Sequence, residues 1–200
     1  MYIGQNDSDN DKSDEQLMIA YQKGDFEAFG MLYLRYEGHL YNFFLKWTGD
    51  REQADDLLQA VFLKLHRRRD LYNPDYSFAP WFFSIARNTL KNSYHKNRRY
   101  NEIFIRQLVL EENEQRERGP TNLDGNDNPE EIICKKERKK MIESALLKLP
   151  KSQREAILLN KYGGFSYLEI ANITVSSVGS VKQKIHRGYT TLRKLLEGWI

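Results

Sequence analysis

The last quarter of this 200-residue chain constrains its fold most, because helix-start and turn signals recur there at short intervals. Two Ser-x-x-Glu segments have the spacing of a capping box, and a Gly-Gly pair between them suits a helix end followed by a tight turn. These segments are Ser152 with Glu155, Gly163-Gly164, and Ser166 with Glu169. With another helix predicted from about Ser177, the pattern is typical of a helix-turn-helix.

The helix predicted after Ser177 is amphipathic. Its apolar arc, which should pack inward, holds Val181, Ile185, Gly188 and Leu192. Its outward arc holds Gly179, Gln183, His186, Arg187 and Thr190. Amide, imidazole and guanidinium groups behind a serine-rich helix start suit the base edges and phosphates of a DNA major groove. An ordinary solvated helix in a three-helix bundle is the alternative, and this pattern alone leaves both open.

The rest of the chain has helical periodicity and no strand pattern. We predict helices from a Ser13–Gln16 capping box to Gly24, from Asp25 to Gly49, from Asp50 to Arg67-Arg68-Arg69, from about Ala79 to about Asn97, and from Asn128-Pro129 to Leu149-Pro150. The predicted fold is all-α, with two small helical bundles over 14–100 and 129–200. A flexible acidic linker over 101–128 joins them, and residues 1–13 form a disordered tail.

Charge is distributed unevenly between these segments. Residues 129–200 carry fourteen basic and seven acidic residues, whereas residues 101–128 carry three and seven. A basic C-terminal bundle beside an acidic connector favours nucleic acid as that bundle's partner. The single cysteine, Cys134, excludes an internal disulfide framework. A polar start and the lack of any apolar run near the roughly 20 residues that span a bilayer predict a cytoplasmic protein without membrane insertion.

The fourth predicted helix combines basic charge with aromatic rings. From Arg87 to Arg99 there are five Lys or Arg residues and no acidic residue. The rings at and just before its start are Tyr72, Tyr76, Phe78, Trp81 and Phe82. Basic charge that follows a phosphate backbone, together with rings on which bases stack, favours capture of single-stranded nucleic acid. Aromatic residues at helical spacing are also typical of a core, and helical phase does not assign each ring to core or groove.

The third predicted helix exposes Asp55, Asp56 and Gln59 beside Phe62. Without a convergent histidine or nucleophile, this face favours protein binding or plain solvation over acid-base catalysis. The four histidines are scattered, and no metal-ligand pair, Gly-rich phosphate loop or nucleophile elbow occurs in the sequence. We therefore expect no enzyme activity, no metal and no cofactor.

Segments from both predicted bundles resemble the extracytoplasmic-function (ECF) sigma factors, the compact two-domain branch of the bacterial sigma-70 family. In the first bundle the resemblance rests on Gly24–Phe29, Ala54–Phe62 and Trp81–Asn88. In the second it rests on Leu149-Pro150, Gln153–Glu155, Ser166–Ala171 and Val178–Lys182. It implies an alternative sigma factor, a dissociable promoter-specificity subunit of RNA polymerase that promotes transcription initiation. Residues 14–100 would be region 2 and residues 129–200 region 4.

The resemblance also assigns roles to residues. Binding to the clamp helices of the largest polymerase subunit falls to Asp55, Asp56, Gln59 and Phe62. Melting of the promoter -10 element and binding of its single strand fall to Tyr72, Asn73, Tyr76, Phe78, Trp81, Arg87, Asn88 and Lys91. Recognition of the duplex -35 element falls to Ser177, Gly179, Ser180, Lys182, Gln183, His186 and Arg187. An anti-sigma factor is the expected regulator.

Four residues depart from the family pattern. Lys182 and Lys184 stand where arginine is usual, which shifts guanine recognition toward Gln183, His186 and Arg187. Ser177 replaces a common proline and is expected to act as an N-cap through its hydroxyl. Val175 occupies a turn position that normally holds Gly, Asp or Asn, so an unusual turn geometry is expected there.

Two other classes of protein remain open from the sequence. A conventional helix-turn-helix regulator would use the N-terminal bundle to sense a ligand or to dimerise, and it would bind duplex DNA unaided. A helical adaptor would use Asp55, Asp56 and Phe62 to bind protein, but this leaves both basic faces unexplained.

Overall fold

The computed structural model describes residues 12–108 and 129–197, with side chains for 12–93, 137–138 and 140–197. These residues form α-helices and no strand, which confirms the all-α prediction. The helices are α1 (Asp14–Gln22), α2 (Phe26–Thr48), α3 (Arg51–Arg68), α4 (Phe78–Leu108), α5 (Pro129–Lys148), α6 (Lys151–Lys161), α7 (Tyr167–Thr174) and α8 (Val178–Leu196), with a short 3-10 helix, Arg69–Leu71, after α3.

Helices α1 to α4 form the first bundle around an aromatic core. Phe78 and Phe82, one turn apart on α4, stack with their ring centroids 5.3 Å apart. Tyr36 of α2 meets both rings edge-on, and Phe43 and Phe83 extend the cluster with centroids 6.0 Å apart. Since apolar residues recur every three to four positions on both helices, each helix presents one continuous ring-bearing face to the core.

The helix boundaries in this bundle follow local capping chemistry. Ser13 and Gln16 form the predicted capping box, and Asp25 and Asp50 cap α2 and α3 by accepting backbone N–H groups. Gly49 ends α2 at φ 74°, in the left-handed region that glycine adopts without strain.

Helices α5 to α8 form the second bundle. Val181, Ile185 and Gly188 of α8 are buried as predicted. A methyl group placed at Gly188 would lie 2.5 Å from Cδ1 of Ile157 on α6, so glycine permits the close approach of these two helices. This contact sets which face of α8 points away from the protein.

Two predicted helix boundaries are wrong. Ser152 and Glu155 do not form a capping box, because α6 begins at Lys151 and the backbone N–H groups of Gln153 and Arg154 donate to the carbonyl of Pro150. Helix α4 continues to Leu108, beyond the predicted end near Asn97. Most of the predicted linker and tail, residues 109–128 and 1–11, lies outside the described residues.

The two bundles pack against each other. Helix α2 contacts α5 and α6, and α4 contacts α7. Buried apolar residues of both bundles therefore belong to one continuous cluster, in which Phe83 of α4 meets Phe165 edge-on at 4.7 Å between ring centroids. Any surface on this side of α4 is consequently shared between the two bundles.

Candidate nucleic-acid interface

The outward face of α8 is open to solvent among the residues that the structure describes. Gly179, Lys182, Gln183, His186 and Arg187 are all exposed, as helical phase predicts. Thr190 is exposed on the same side. The polar side chains at positions 182, 183, 186 and 187 form no hydrogen bond within the described residues, so their donors and acceptors are available to a partner. Such a face can place amide and cationic groups on base edges and phosphates.

The start of α8 is organised by two serines. Ser177 is the N-cap, and its hydroxyl accepts the backbone N–H of Ser180 at 3.2 Å. This confirms the capping role that the sequence assigns to Ser177. Ser177 is exposed and Ser180 is half-buried. The remaining N–H groups of the first turn add partial positive charge that favours a phosphate at this end of the helix.

The turn between α7 and α8 contains a strained residue. Val175 has φ 50° and ψ 58°, a left-handed conformation that a β-branched residue rarely adopts. The turn is held by hydrogen bonds from the N–H of Val175 to the carbonyl of Asn172 and from the N–H of Ser176 to that of Ala171. With 88% of its surface exposed, Val175 contributes little packing in return.

Two of the four aromatic residues assigned to strand capture, Tyr72 and Phe78, belong to the core instead. Phe78 is fully buried and Tyr72 is 4% exposed, so neither ring presents a stacking surface. Trp81 is half-buried and packs on Tyr72 with ring centroids 5.0 Å apart. Tyr76 is 68% exposed and is the ring of this group that is available to a base. Direct stacking by Tyr72 and Phe78 is therefore not compatible with this structure, because both rings fill the interior of the first bundle.

Hydrogen bonds hold the loop before α4 in place. The hydroxyl of Tyr72 donates to the carbonyl of Tyr76 at 2.7 Å, and the N–H of Phe78 donates to Oε1 of Glu15 at 3.0 Å. Burial, with the nearby carboxylates of Glu15 and Asp14, raises the pKa of Tyr72 to about 12. The N–H of Phe78 lowers the pKa of Glu15. Asn73 is exposed, and its side-chain oxygen accepts the N–H of Asp75.

The basic face of α4 is only partly free. Asn88 and Lys91 are exposed. Arg87 is 9% exposed, because its side chain turns toward the second bundle and pairs with Glu155 of α6, with 2.8 Å between Nε and Oε1. In this arrangement of the two bundles Arg87 is therefore not part of an open surface, and its assignment to the opened -10 strand stays a prediction.

The face of α3 combines exposed polar groups with a buried ring. Asp55, Asp56 and Gln59 are exposed, as predicted. Phe62 is 5% exposed and packs against Tyr33 and Phe82, so it is not available for a partner. The pKa of Tyr33 is raised, mainly by burial, and the nearby carboxylates of Glu37 and Asp55 raise it further.

Sequence reasoning did not single out Leu71, which is 73% exposed between α3 and the loop before α4. Leu71 lies in the same segment as the exposed Tyr76, and an apolar side chain so exposed adds to the apolar surface available at this edge of the first bundle. The sequence marks Leu71 only as an isolated leucine between Asp70 and a segment without helical periodicity.

The structure offers no other kind of site in the parts that it describes. No group of three or more His, Cys, Asp or Glu side chains that could hold a metal ion occurs among the described residues. None of the helices in the described ranges is long and apolar enough to cross a membrane.

Comparison with protein families gives two matches in chain order. Residues 32–100 match the model of Sigma-70 region 2, and residues 139–192 match that of Sigma-70, region 4. The first match contains the α3 face, the loop and the described start of α4, and the second contains the helix-turn-helix.

Curated relatives match along nearly the whole chain. The ECF RNA polymerase sigma-E factor of Escherichia coli (strain K12) is 31% identical over 88% of this chain and 90% of its own length. The RNA polymerase sigma-H factor of Pseudomonas aeruginosa is 29% identical over 93% of this chain and 95% of its own.

Solved structures share the fold. CnrH in complex with the cytosolic domain of CnrY has a TM-score of 0.69 at 23% identity, covering 94% of this chain and 100% of that one. The sigma factor RpoE in complex with the anti-sigma factor NepR from Bartonella quintana has a TM-score of 0.64 at 24% identity, covering 84% and 96%.

Proposed function

The chain belongs to the ECF sigma factors of the sigma-70 family, and on that premise we propose how its surfaces divide the work of an alternative sigma factor. It binds core RNA polymerase, recognises the -35 and -10 elements of a promoter and promotes transcription initiation. Its family consists of transcription initiation factors, and we propose that it acts in the cytoplasm without catalytic activity or a cofactor of its own.

Polymerase binding is assigned to the α3 face. Asp55, Asp56 and Gln59 are exposed together on one side of α3, where carboxylate and amide groups can meet the clamp helices of the largest subunit. Phe62 supports this face from beneath, because its ring joins α3 to Tyr33 and to the core. Its proposed role is to hold α3 in position.

Opening of the -10 element is assigned to the edge formed by the loop before α4 and the start of α4. Tyr76 offers an exposed ring on which an unpaired base can stack, and Asn73, Asn88 and Lys91 offer exposed polar groups. Tyr72 and Phe78 lock the loop, and Trp81 lies half-buried between the loop and this surface.

Reading of the -35 element is assigned to α8. Lys182, Gln183, His186 and Arg187 supply donors and acceptors to base edges, while Ser177, Gly179 and Ser180 form the end that approaches the backbone. The free outward face of α8 is the observation that carries the proposed function.

We further propose that an anti-sigma factor controls the chain. Two proteins of the same fold were solved in complexes, one with an anti-sigma factor and one with the cytosolic domain of CnrY. A pull-down of the full chain from a mixture with a candidate anti-sigma domain, with and without core polymerase as competitor, tests whether the two bind mutually exclusively.

Reconstituted transcription tests the function as a whole. Core polymerase with the chain should produce run-off transcript from a cognate promoter, whereas core polymerase alone should not. A conventional helix-turn-helix regulator would instead bind duplex DNA without polymerase, usually as a dimer on half-sites about 34 to 36 Å apart. Tight, polymerase-independent binding of a palindromic duplex, without run-off transcript, would overturn the proposal.

The polymerase-binding face is tested by Asp56→Arg with Gln59→Ala. Core binding should weaken by several kcal/mol, on the order expected for a charge reversal in a desolvated contact. Helicity should stay unchanged because both side chains are exposed. Unchanged core affinity in a pull-down would remove the α3 face from the proposal.

A further inference from the structure

A buried ion pair joins the two bundles where they pack against each other. Nε of Arg87 donates to Oε1 of Glu155 at 2.8 Å, and a terminal guanidinium nitrogen approaches Oε2 at 3.5 Å. Both side chains are only 11% exposed. Arg87 comes from the basic face of α4 and Glu155 from α6 of the helix-turn-helix bundle. A residue assigned to promoter opening is therefore held by the bundle that reads the duplex.

The surroundings of this pair differ from a permanent hydrophobic core. Arg154 donates to the carbonyl of Trp47 at 2.9 Å, and its guanidinium lies 4.9 Å from the indole ring centroid. The indole N–H of Trp47 and the side-chain oxygen of Gln153 are buried without a hydrogen-bond partner among the described residues. Separation of the bundles would return the indole N–H of Trp47, whose ring lies against Arg154 of the other bundle, to water, which favours opening.

The ion pair itself is also compatible with a reversible contact. Taking two charges out of water costs much of what their attraction gains, so a buried pair contributes little net stability compared with its strength in isolation. A DNA phosphate offers a guanidinium the same kind of charged oxygen pair that a carboxylate does. Arg87 can therefore exchange Glu155 for DNA without leaving a buried charge unpaired.

We propose that the Arg87–Glu155 pair is an intramolecular latch. In the free chain the carboxylate of Glu155 pairs with the guanidinium of Arg87. The bundles must separate before Arg87 can contact an opened promoter strand. This inference rests on the proposed function, because it takes strand capture to be the task of α4. The latch does not cover the outward face of α8, so it controls strand capture and leaves duplex reading free.

Binding of single-stranded DNA to the free chain tests the latch. The probe is a fluorescent, A+T-rich oligonucleotide of about 20 nucleotides, measured by anisotropy at fixed salt. Glu155→Gln keeps the shape of the side chain and removes its charge, so the open population should rise and the affinity should increase by roughly 3- to 10-fold. In an Arg87→Gln background the same change should give no increase.

A matched control separates the latch from a general charge effect. Glu143 pairs with Lys46 at the rim of the same bundle contact and is more exposed than Glu155. Glu143→Gln therefore changes the net charge of the same bundle by the same amount. Its affinity for the oligonucleotide should change less than about twofold. Equal increases for Glu155→Gln and Glu143→Gln, or an increase that persists without Arg87, would overturn the latch.

A cleavable cross-link provides a test that does not depend on the folding of the Glu155→Gln variant. Cysteines at Lys46 and Glu143, in a Cys134→Ser background, are joined by a bismaleimide with a reducible disulfide. The cross-linked chain should bind the oligonucleotide several-fold more weakly than after reduction. Equal binding before and after reduction would refute the latch and leave the proposed function intact. Absence of binding after reduction, with no run-off transcript, would refute both.

Discussion

On α8, the groups proposed to read duplex DNA are exposed among the described residues, whereas around α4 the exposed groups proposed to hold an opened strand lie beside residues that are buried in the core or paired with the other bundle. Lys182, Gln183, His186 and Arg187 have no intramolecular side-chain hydrogen bond within the described residues. By contrast, Phe78 is buried, and Arg87 is paired with the other bundle. The outward side chains of α8 therefore contribute little to folding, whereas the residues around α4 combine buried positions that stabilise the first bundle with exposed positions proposed to bind an opened strand.

The largest effect expected from this difference is on the stability of the first bundle. Phe78→Ala removes a fully buried ring that contacts Tyr36, Tyr72 and Phe82. It should lower the free energy of unfolding by about 3 to 5 kcal/mol. Denaturant unfolding measures this loss.

The matched variant for Phe78→Ala is Tyr76→Ala. Because Tyr76 is exposed, its removal should leave stability within about 0.5 kcal/mol and should weaken opened-strand binding by roughly 1 to 3 kcal/mol. A template with a pre-opened bubble over the -10 element should restore transcription by this variant. Equal losses of stability in the two variants would contradict the view that Phe78 stabilises the core whereas Tyr76 is available for base stacking.

Alkaline pH should lower the stability of the first bundle, because it ionises a buried phenol there. The pKa of Tyr72 rises from 10.0 to about 12 on folding, so the neutral phenol is favoured in the folded state. Its contribution to stability is complete below pH 10 and is lost as pH rises to about 12, a loss of roughly 2 to 3 kcal/mol. Unfolding free energies measured from pH 9 to 12 give the slope.

The control for the pH experiment is Tyr72→Phe. This variant loses the hydrogen bond to the carbonyl of Tyr76 at every pH, but its stability should fall less steeply above pH 10. Burial also raises the pKa of Tyr36, so the difference between the two curves isolates Tyr72. Parallel curves would show that this phenol does not titrate in the expected range.

On α8 the expected effects are on binding alone. Gln183→Ala and Arg187→Ala should each cost roughly 1 to 3 kcal/mol of -35 recognition and relax promoter choice, with little change in stability. Competition between promoters that differ in the -35 element, assayed with reconstituted holoenzyme, measures this effect. Thr190→Ala is a control on the same exposed side. A loss that is the same on every -35 sequence would assign these residues to backbone contacts.

The smallest expected effect is at the turn before α8. Val175→Gly should relieve the left-handed strain and stabilise the second bundle by ~1 kcal/mol, since the exposed side chain gives little packing. Val175→Asn should give part of the gain. Thermal unfolding of the full chain is the measurement. A lower melting temperature for the glycine variant would show that the turn is not strained.

Sequence reasoning succeeded where one periodic pattern determines the outcome. The inward and outward sides of α8 follow from helical phase, because residues such as Val181 and Ile185 lie on the same side of the helix and are buried together. The caps at Ser13, Asp25 and Ser177 follow from local hydrogen bonding, which acts over three residues and is visible in the sequence.

It failed where position depends on distant partners. The burial of Tyr72 and Phe78 depends on how the loop folds back over α1, which no local pattern contains. The Ser152–Glu155 spacing resembles a cap, but Glu155 turns inward toward Arg87, 68 residues away in the chain. Long-range charge pairing of this kind overrides a local capping signal.

The close approach at Gly188 also bears on how readily this protein can change its target. Helix α8 is fastened to α6 by its inner side, and a larger residue at 188 would meet Ile157. The outer side chains, such as Gln183 and Arg187, take no part in this helix–helix contact. With α8 as the proposed reader of the -35 element, new promoter preferences can be sampled by substitution on the outer side at nearly constant stability, which makes α8 suited to directed evolution of orthogonal gene circuits.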